Sequence, residues 1–457
     1  MTSMRLNLLA AFAACILLAS PLLALDHPAE KKPGTVIRYG SAMAGAIQSN
    51  AVVFSFNYFV GQTEFSRVSG NSIRHNLSCN WDWDQSAYQT NQFGHPYQGS
   101  TYFAAGRSNG LGFYQSALIA GFGSASWELF GERNEPSMND LIQTTVGGTA
   151  FGEMMHRLYL EAASTGTPFA FLISPMSALN YWINHERPVN PGRNIQSMTL
   201  VSGLGFSRSI RTEDGRNCLR DMNNTPSVAT GLSLQYGDPF GSVSEEPFEQ
   251  FKLDVALSGG LDQYGCTVYS DGILASWAPF DELDAATSVG IALNFDCLFT
   301  SNVRFTSNAL TAAINHKRAI TPVLSERISA YAGWMMFGVG TFYEEEARRF
   351  SGEEDSTLNY GTGAAAKYSY CLDHLRYGSL EFSTKLYAMK VFPGTVEKAD
   401  GVLFCQIYEV RGARPVTRRT SVYALGTYVR ERCRPEDAPS QLRESGDATV
   451  GVEWSVD

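Results

Sequence analysis

Apolar and polar positions follow two different periods along this chain. From about residue 197 to the end the period is two. Val289, Ile291, Leu293, Phe295 and Cys297 alternate with Gly290, Ala292, Asn294 and Asp296, which is the pattern of a two-faced strand. Phe251, Leu253, Val255 and Leu257 alternate likewise with Lys252, Asp254 and Ser258, and Val450, Val452, Trp454 and Val456 with Gly451, Glu453 and Ser455. Runs of this kind between turn-rich breaks predict strands starting near 198, 227, 248, 263, 287, 302, 326, 357, 378, 401, 416 and 447, the spacing of an antiparallel meander. An even count suits a closed β-barrel of about twelve strands. The run near 302–312 is the least defined, because Asn308–Ala313 fits a short helix equally well.

Before residue 197 the period is helical. Ala42–Val60 is apolar but contains Gln48, Ser49, Asn50 and Asn57, and reads as a helix packed on protein and not as a lipid-spanning one. A second helix is expected over 103–130, where Gly112, Ser116, Ala120 and Ser124 recur every four residues and permit close backbone approach. A third is expected over 141–163, capped by Ser137 or Asn139 with Asp140 in its positive first turn. Pro168, Pro175, Pro188 and Pro191 mark 166–196 as a connection. The predicted fold is therefore α+β: a helical region at 25–165, a connecting region at 166–196 and a large antiparallel barrel-like domain at 197–457.

The first 24 residues carry Arg5, the apolar run Leu8–Leu18 and a small-residue stretch ending near Ala24, the layout of a secretory signal peptide. Cys15 lies inside that run, so the expected mature chain starts near Leu25 without a lipid. Export and strands with one apolar face place the barrel in the outer membrane, with lipid as partner and a soluble periplasmic sheet as the alternative. Tyr236, Tyr264, Tyr331, Trp334, Tyr343, Tyr360, Tyr368, Tyr387 and Tyr428 are candidates for aromatic girdles. A net charge of -10 removes the basic footprint that nucleic acid requires. The seven cysteines after Cys15 form no Cys-x-x-Cys pair, so neither a metal knuckle nor a thioredoxin-like site is expected.

Residues 81–157 hold a series of rare blocks: Trp81-Asp82-Trp83-Asp84, Asn91-Gln92-Phe93-Gly94-His95-Pro96-Tyr97, Ala105-Gly106-Arg107-Ser108-Asn109-Gly110, Pro136-Ser137-Met138-Asn139-Asp140 and Gly152-Glu153-Met154-Met155-His156-Arg157. Across about 55–160 the chain closely resembles the bacterial domain of unknown function 3943. The resemblance implies an envelope protein and assigns no catalytic role.

Chemistry in this half rests on its ionisable residues. Glu128 and Glu132 share a helical face, as do Glu153, His156 and Arg157. The expectation is that two helices bring Glu128 or Glu132 together with Arg107, Glu153, His156 or Arg157. The catalytic candidates are Glu128, Glu132, Glu153 and His156, and the binding candidates are His95, Arg107, Asp140 and Arg157. One reading is a polar pocket with a carboxylate base; the other is a set of ion pairs that clamp helices. Glu153-x-x-His156 is one half of a di-iron motif; its second half is missing, so no metal and no cofactor is expected. Three functions stay open: a barrel with a pore, transport or envelope-maintenance role, a membrane-associated enzyme acting on lipid or cell wall, and a structural or adhesive surface protein.

Overall fold

The computed structural model describes residues 37–456 except 85, 190–193, 214–215, 218–221, 262–263, 283, 342–357, 394–399 and 437–439. The expected signal segment lies outside these residues.

Thirteen strands form one antiparallel sheet: β1 Ile195–Glu213, β2 Arg216–Asn217, β3 Met222–Tyr236, β4 Phe251–Gly260, β5 Tyr264–Glu282, β6 Ala285–Thr300, β7 Arg304–Thr321, β8 Leu324–Thr341, β9 Leu358–His374, β10 Gly378–Val391, β11 Gly401–Pro415, β12 Thr420–Pro435 and β13 Gln441–Ser455. The two-residue β2 pairs only with the end of β1, which leaves twelve strands in the wall. Each pairs with the next, and β13 returns to β1 in a register running from Thr199↔Ser455 to Glu213↔Gln441, so the sheet is a closed barrel without edges. The uncertain run near 302–312 is a strand within β7, whose Asn308 pairs with Phe295 and Phe337.

The two rims differ. At one, β5–β6 and β7–β8 are joined by two residues each, and β1 begins and β13 ends there. At the other lie the sixteen residues between β8 and β9 and the nine between β10 and β11. One long connection, 237–250, belongs to the short-turn rim.

The helices are α1 Tyr39–Ser55, continued by a π turn to Gly61, α2 Gly70–Asn76, α3 His95–Arg107, α4 Phe113–Phe130, α5 Met138–Ser164 and α6 Pro175–Ile183. The single helix expected over 103–130 is two. Gly110 turns the chain at a φ of 83°, a conformation that costs glycine little, and Arg107 holds the turn by donating to the Leu111 carbonyl. The expected connection 166–196 contains α6, started by Pro175 in its first turn.

α1, α3, α4 and α5 form a bundle against the outside of the barrel. Asp271 and Asp296 meet Lys367 across the lumen, so their strand neighbours Gly272, Phe295 and Cys297 point outward. The helices cover this outward set. Phe151 meets Phe295 at 4.9 Å between ring centroids, Asn308 donates to Gln143 at 2.7 Å, and Tyr88 bonds Thr306 at 2.6 Å. Trp83 stacks on Tyr360 at 5.1 Å near the long-loop rim, whereas Arg157 donates to the Pro247 carbonyl at the short-turn rim, 2.9 Å away. Thus α5, about 40 Å long at 1.5 Å per residue, runs beside the wall from one rim toward the other. α3 lies on α5 through glycine: a Cβ on Gly99 would sit 1.9 Å from the Thr144 carbonyl oxygen.

The girdle expectation needs correction. Tyr264, Trp334, Tyr368 and Tyr428 are outward and exposed, but Tyr387 bonds Asp296 in the lumen and Tyr331 faces the lumen near Asn315. Tyr236 and Tyr360 are buried beneath the bundle. Tyr343 lies outside the described residues.

Candidate functional site

The predicted polar residues fall into two separate clusters, one at the start of α5 and one in its second half. Asp140 and Glu153 are thirteen residues apart on that helix, roughly 20 Å at 1.5 Å per residue. The expectation that Glu128 or Glu132 would meet Arg107, Glu153, His156 or Arg157 is therefore not met, because α4 ends beside the start of α5 and not beside its second half.

The first cluster joins the family's motif blocks. Asp82 forms a parallel bridge with Ser137, the Asp82 amide donating to Pro136 and the Met138 amide to Asp82. Glu128, 1% exposed, accepts from the Ser137 amide at 2.8 Å. Ser137 caps α5 through the Asp140 amide. Asn139 donates to Asp140 at 2.8 Å and to Asn91 at 3.0 Å, and accepts from the Asp84 amide at 2.8 Å. His95 Nε2 lies 3.4 Å from Asp140 and its Nδ1 3.3 Å from Thr144. Asn76 donates to the backbone of both Glu128 and Glu132. These contacts satisfy helix ends and a turn.

In the second cluster the buried Glu153 accepts from Arg107 at 3.1 Å and from Arg157 at 2.7 Å. Arg157 continues to Glu246 and to the Pro247 carbonyl, so one carboxylate ties α3 to α5 and α5 to the barrel rim. His156 turns away toward Ser177 on α6, 3.0 Å distant. Glu153 and His156 thus have different partners. Among the described residues no three His, Cys, Asp or Glu side chains are grouped to hold a metal ion.

The residues that sequence reasoning missed line the lumen. Toward the short-turn rim lies a cavity of about 420 Å³ lined by Lys252, Asp254, Arg327, Glu381, Arg411 and Glu453, among others. Its floor combines contacts across the lumen with a pair between the neighbouring strands β10 and β11. Lys367 on β9 meets Asp271 at 2.5 Å and Asp296 at 2.7 Å. Lys385 on β10 meets Glu409 at 2.5 Å and lies 4.1 Å from the Tyr269 ring centre on β5. Beyond this floor, toward the long-loop rim, Leu298, Phe305, Met389, Leu403, Cys405 and Val429 pack into one buried cluster inside the barrel. Past them Arg443, 1% exposed, pairs with Glu431 at 3.1 Å and donates to Thr341 across the lumen. The signal was present in the polar members of each alternating strand, but which of them face one another depends on barrel closure.

The fold and this lining define a closed barrel with a polar inner cavity and an attached helical bundle. The family model for Domain of unknown function (DUF3943) matches residues 80–175, the segment holding both helical clusters. No curated protein matches the chain. Solved structures similar to it include the KdgM porin, at 10% identity over 55% of this chain and 99% of that one, TM-score 0.23. An outer membrane channel from Pseudomonas putida F1 is 11% identical over 58% and 99%, TM-score 0.27. The Pseudomonas putida toluene transporter TodX is 7% identical over 57% and 89%, TM-score 0.23. Likeness this remote says nothing of function.

Proposed function

We propose that the chain is an outer-membrane β-barrel with a transport role, whose lumen is a polar vestibule entered from the short-turn rim and shut toward the other. The observation that carries this reading is the reversal of polarity across the sheet. Leu204, Phe206, Val228, Leu257, Ile314, Leu380, Val410 and Val450 face outward and are exposed, whereas the inward positions carry the lysines, arginines and carboxylates of the vestibule. A soluble barrel would be ordered the other way round, with its apolar face inside; an apolar outer band over a polar interior suits lipid outside and solute within. Apart from 237–250, one rim has only short turns, while the connections 342–357 and 392–400 belong to the other, matching periplasmic and external sides respectively. The dense pairing of opposite charges in the vestibule favours a small polar or zwitterionic solute over an apolar one.

The test is reconstitution. Purified protein in lipid vesicles should migrate differently in gels before and after boiling. In planar bilayers the native chain should conduct little, while the double variant Leu403→Gly, Met389→Gly, which thins the apolar layer, should conduct measurably more. Failure to enter membranes overturns the location, and a large steady conductance of the native chain overturns the closed lumen.

A further inference from the structure

The helices of the bundle meet through glycines and polar residues, with Tyr102, Phe103 and Trp127 buried over Gly123, Gly152 and Gly131. Ser49 bonds Thr101 at 2.6 Å, and Asn50 accepts from both Tyr102 and Gln98 while donating to the Gly123 carbonyl and Ser126. Ser116 sits against Gly106, and Gly148 against Gly99. Its exterior is apolar: Met43, Ile47, Val52, Phe56, Phe59 and Val60 on the outermost helix and its π turn, with Leu118 and Phe130 on α4, are all exposed. The exterior also lacks charge. No ionisable acid or base occurs between Tyr39 and Thr63. In α3, α4 and α5 every Asp, Glu, Arg and His is buried or half-buried. A helix in water shows the opposite arrangement, burying its large apolar side chains, whereas helices in lipid meet through glycine, alanine and serine and turn their large side chains outward.

From these observations we infer that the bundle is embedded in the bilayer beside the barrel, its outer face in contact with lipid acyl chains. The inference rests on the barrel itself lying in the membrane. The apolar exterior adjoins the barrel's outward band, because the bundle rests on that wall through Phe151 of α5 on Phe295 and through Tyr88 and Phe93 on Phe299. Lengths agree as well: α1 with its π turn is 23 residues and α4 is 18, about 34 and 27 Å at 1.5 Å per residue, against an apolar band of about 25 Å in outer-membrane barrels. Among the described residues no helix is long and apolar enough to cross a membrane by itself. α1 is 17 residues long before its π turn and carries Gln48, Ser49 and Asn50, of which Ser49 and Asn50 face protein. α1 does not need to stand alone in lipid, since its buried polar residues Ser49 and Asn50 find partners on α3 and α4.

Thiol accessibility in native membranes tests this with the full chain. Cys79, Cys218 and Cys266 are replaced by serine, and single cysteines are placed at Ile47, Val52 and Leu118 on the bundle, at Leu204 and Val450 on the barrel, and at Glu64 as an aqueous reference. Maleimide needs a hydrated thiolate, so bundle and barrel positions should both react on the order of tenfold more slowly than Glu64→Cys. Fast reaction at the bundle with slow reaction at the barrel overturns the embedding alone. Fast reaction at both overturns the membrane location of the whole protein. As a measurement that leaves the native cysteines in place, a benzoylphenylalanine photoprobe at Phe59 should cross-link to fatty acyl chains; cross-links to protein instead would mean that another chain covers this face and would overturn the inference.

Discussion

Lys367 on β9 and Asp271 on β5 form an ion pair of 2.5 Å across the barrel, although three strands separate theirs along the wall. Two strand walls have approached until a lysine and an aspartate can join them. Lys367→Met should leave Asp271 and Asp296 facing each other in a water-poor site, at a cost of about 3–5 kcal/mol. Urea unfolding in detergent measures the loss, and the triple variant with Asp271→Asn and Asp296→Asn should recover most of it. A Lys367→Met chain as stable as the native one would remove this pair from the account of the closed lumen.

Glu153 and Glu128 are both buried, but their partners differ and so should their replacements. Glu153→Gln deprives Arg107 and Arg157 of their shared carboxylate and is expected to cost about 3–5 kcal/mol. Glu128→Gln keeps an acceptor for the Ser137 amide and should cost no more than about 1 kcal/mol. Limited proteolysis of the helical segment in intact membranes reports the order. A larger loss from Glu128→Gln would point to a carboxylate that must carry charge to hold the helix ends together.

The contact between α3 and α5 leaves no room at Gly99, where an added Cβ would stand 1.9 Å from a backbone oxygen. Gly99→Ala should cost about 1–3 kcal/mol or more through forced separation of the helices. Gly40→Ala, with nothing within 4 Å of the added atom, should be neutral or stabilise by up to about 1 kcal/mol. The temperature at which gel migration shifts distinguishes them, and equal shifts would refute the close approach.

Trp83 fills a slot between Tyr360 and Phe392, with ring centres at 5.1 and 5.6 Å. Trp83→Ala should cost about 3–5 kcal/mol, expressed as release of the helical segment and not as barrel unfolding. Hydrogen exchange that rises in 81–94 while β6–β8 stay protected is the expected pattern; uniform loosening would contradict it.

The sheet was the legible part of this chain. Val289 to Cys297 show their two faces because every second residue turns outward, and all twelve expected strands occur. What the alternation leaves open is which face meets lipid, since Phe295 and Cys297 face outward and are still buried, under α5. The break at Gly110 escaped because the helical pattern over 103–130 shows no interruption there, although Gly110 takes a positive φ and turns the chain. The charged clusters were found by residue type but joined wrongly: thirteen residues of one helix separate Asp140 from Glu153, and periodicity on a single helix carries no information about which end a neighbouring helix reaches. Lys367 and Asp271 could not be paired from sequence at all, being 96 residues apart on strands that do not touch along the ladder.

The helices dock on the wall around β6, while the seam between β13 and β1 lies on uncovered wall. Closing that seam joins residues 199–213 to 441–455, the longest loop any pairing in this protein must close, and such contacts form late because chain entropy opposes them. The order of assembly follows from this placement. The bundle and the strands it rests on can complete their contacts as a half-built wall, and the final zippering of first strand to last proceeds on the far side, unobstructed by the helices.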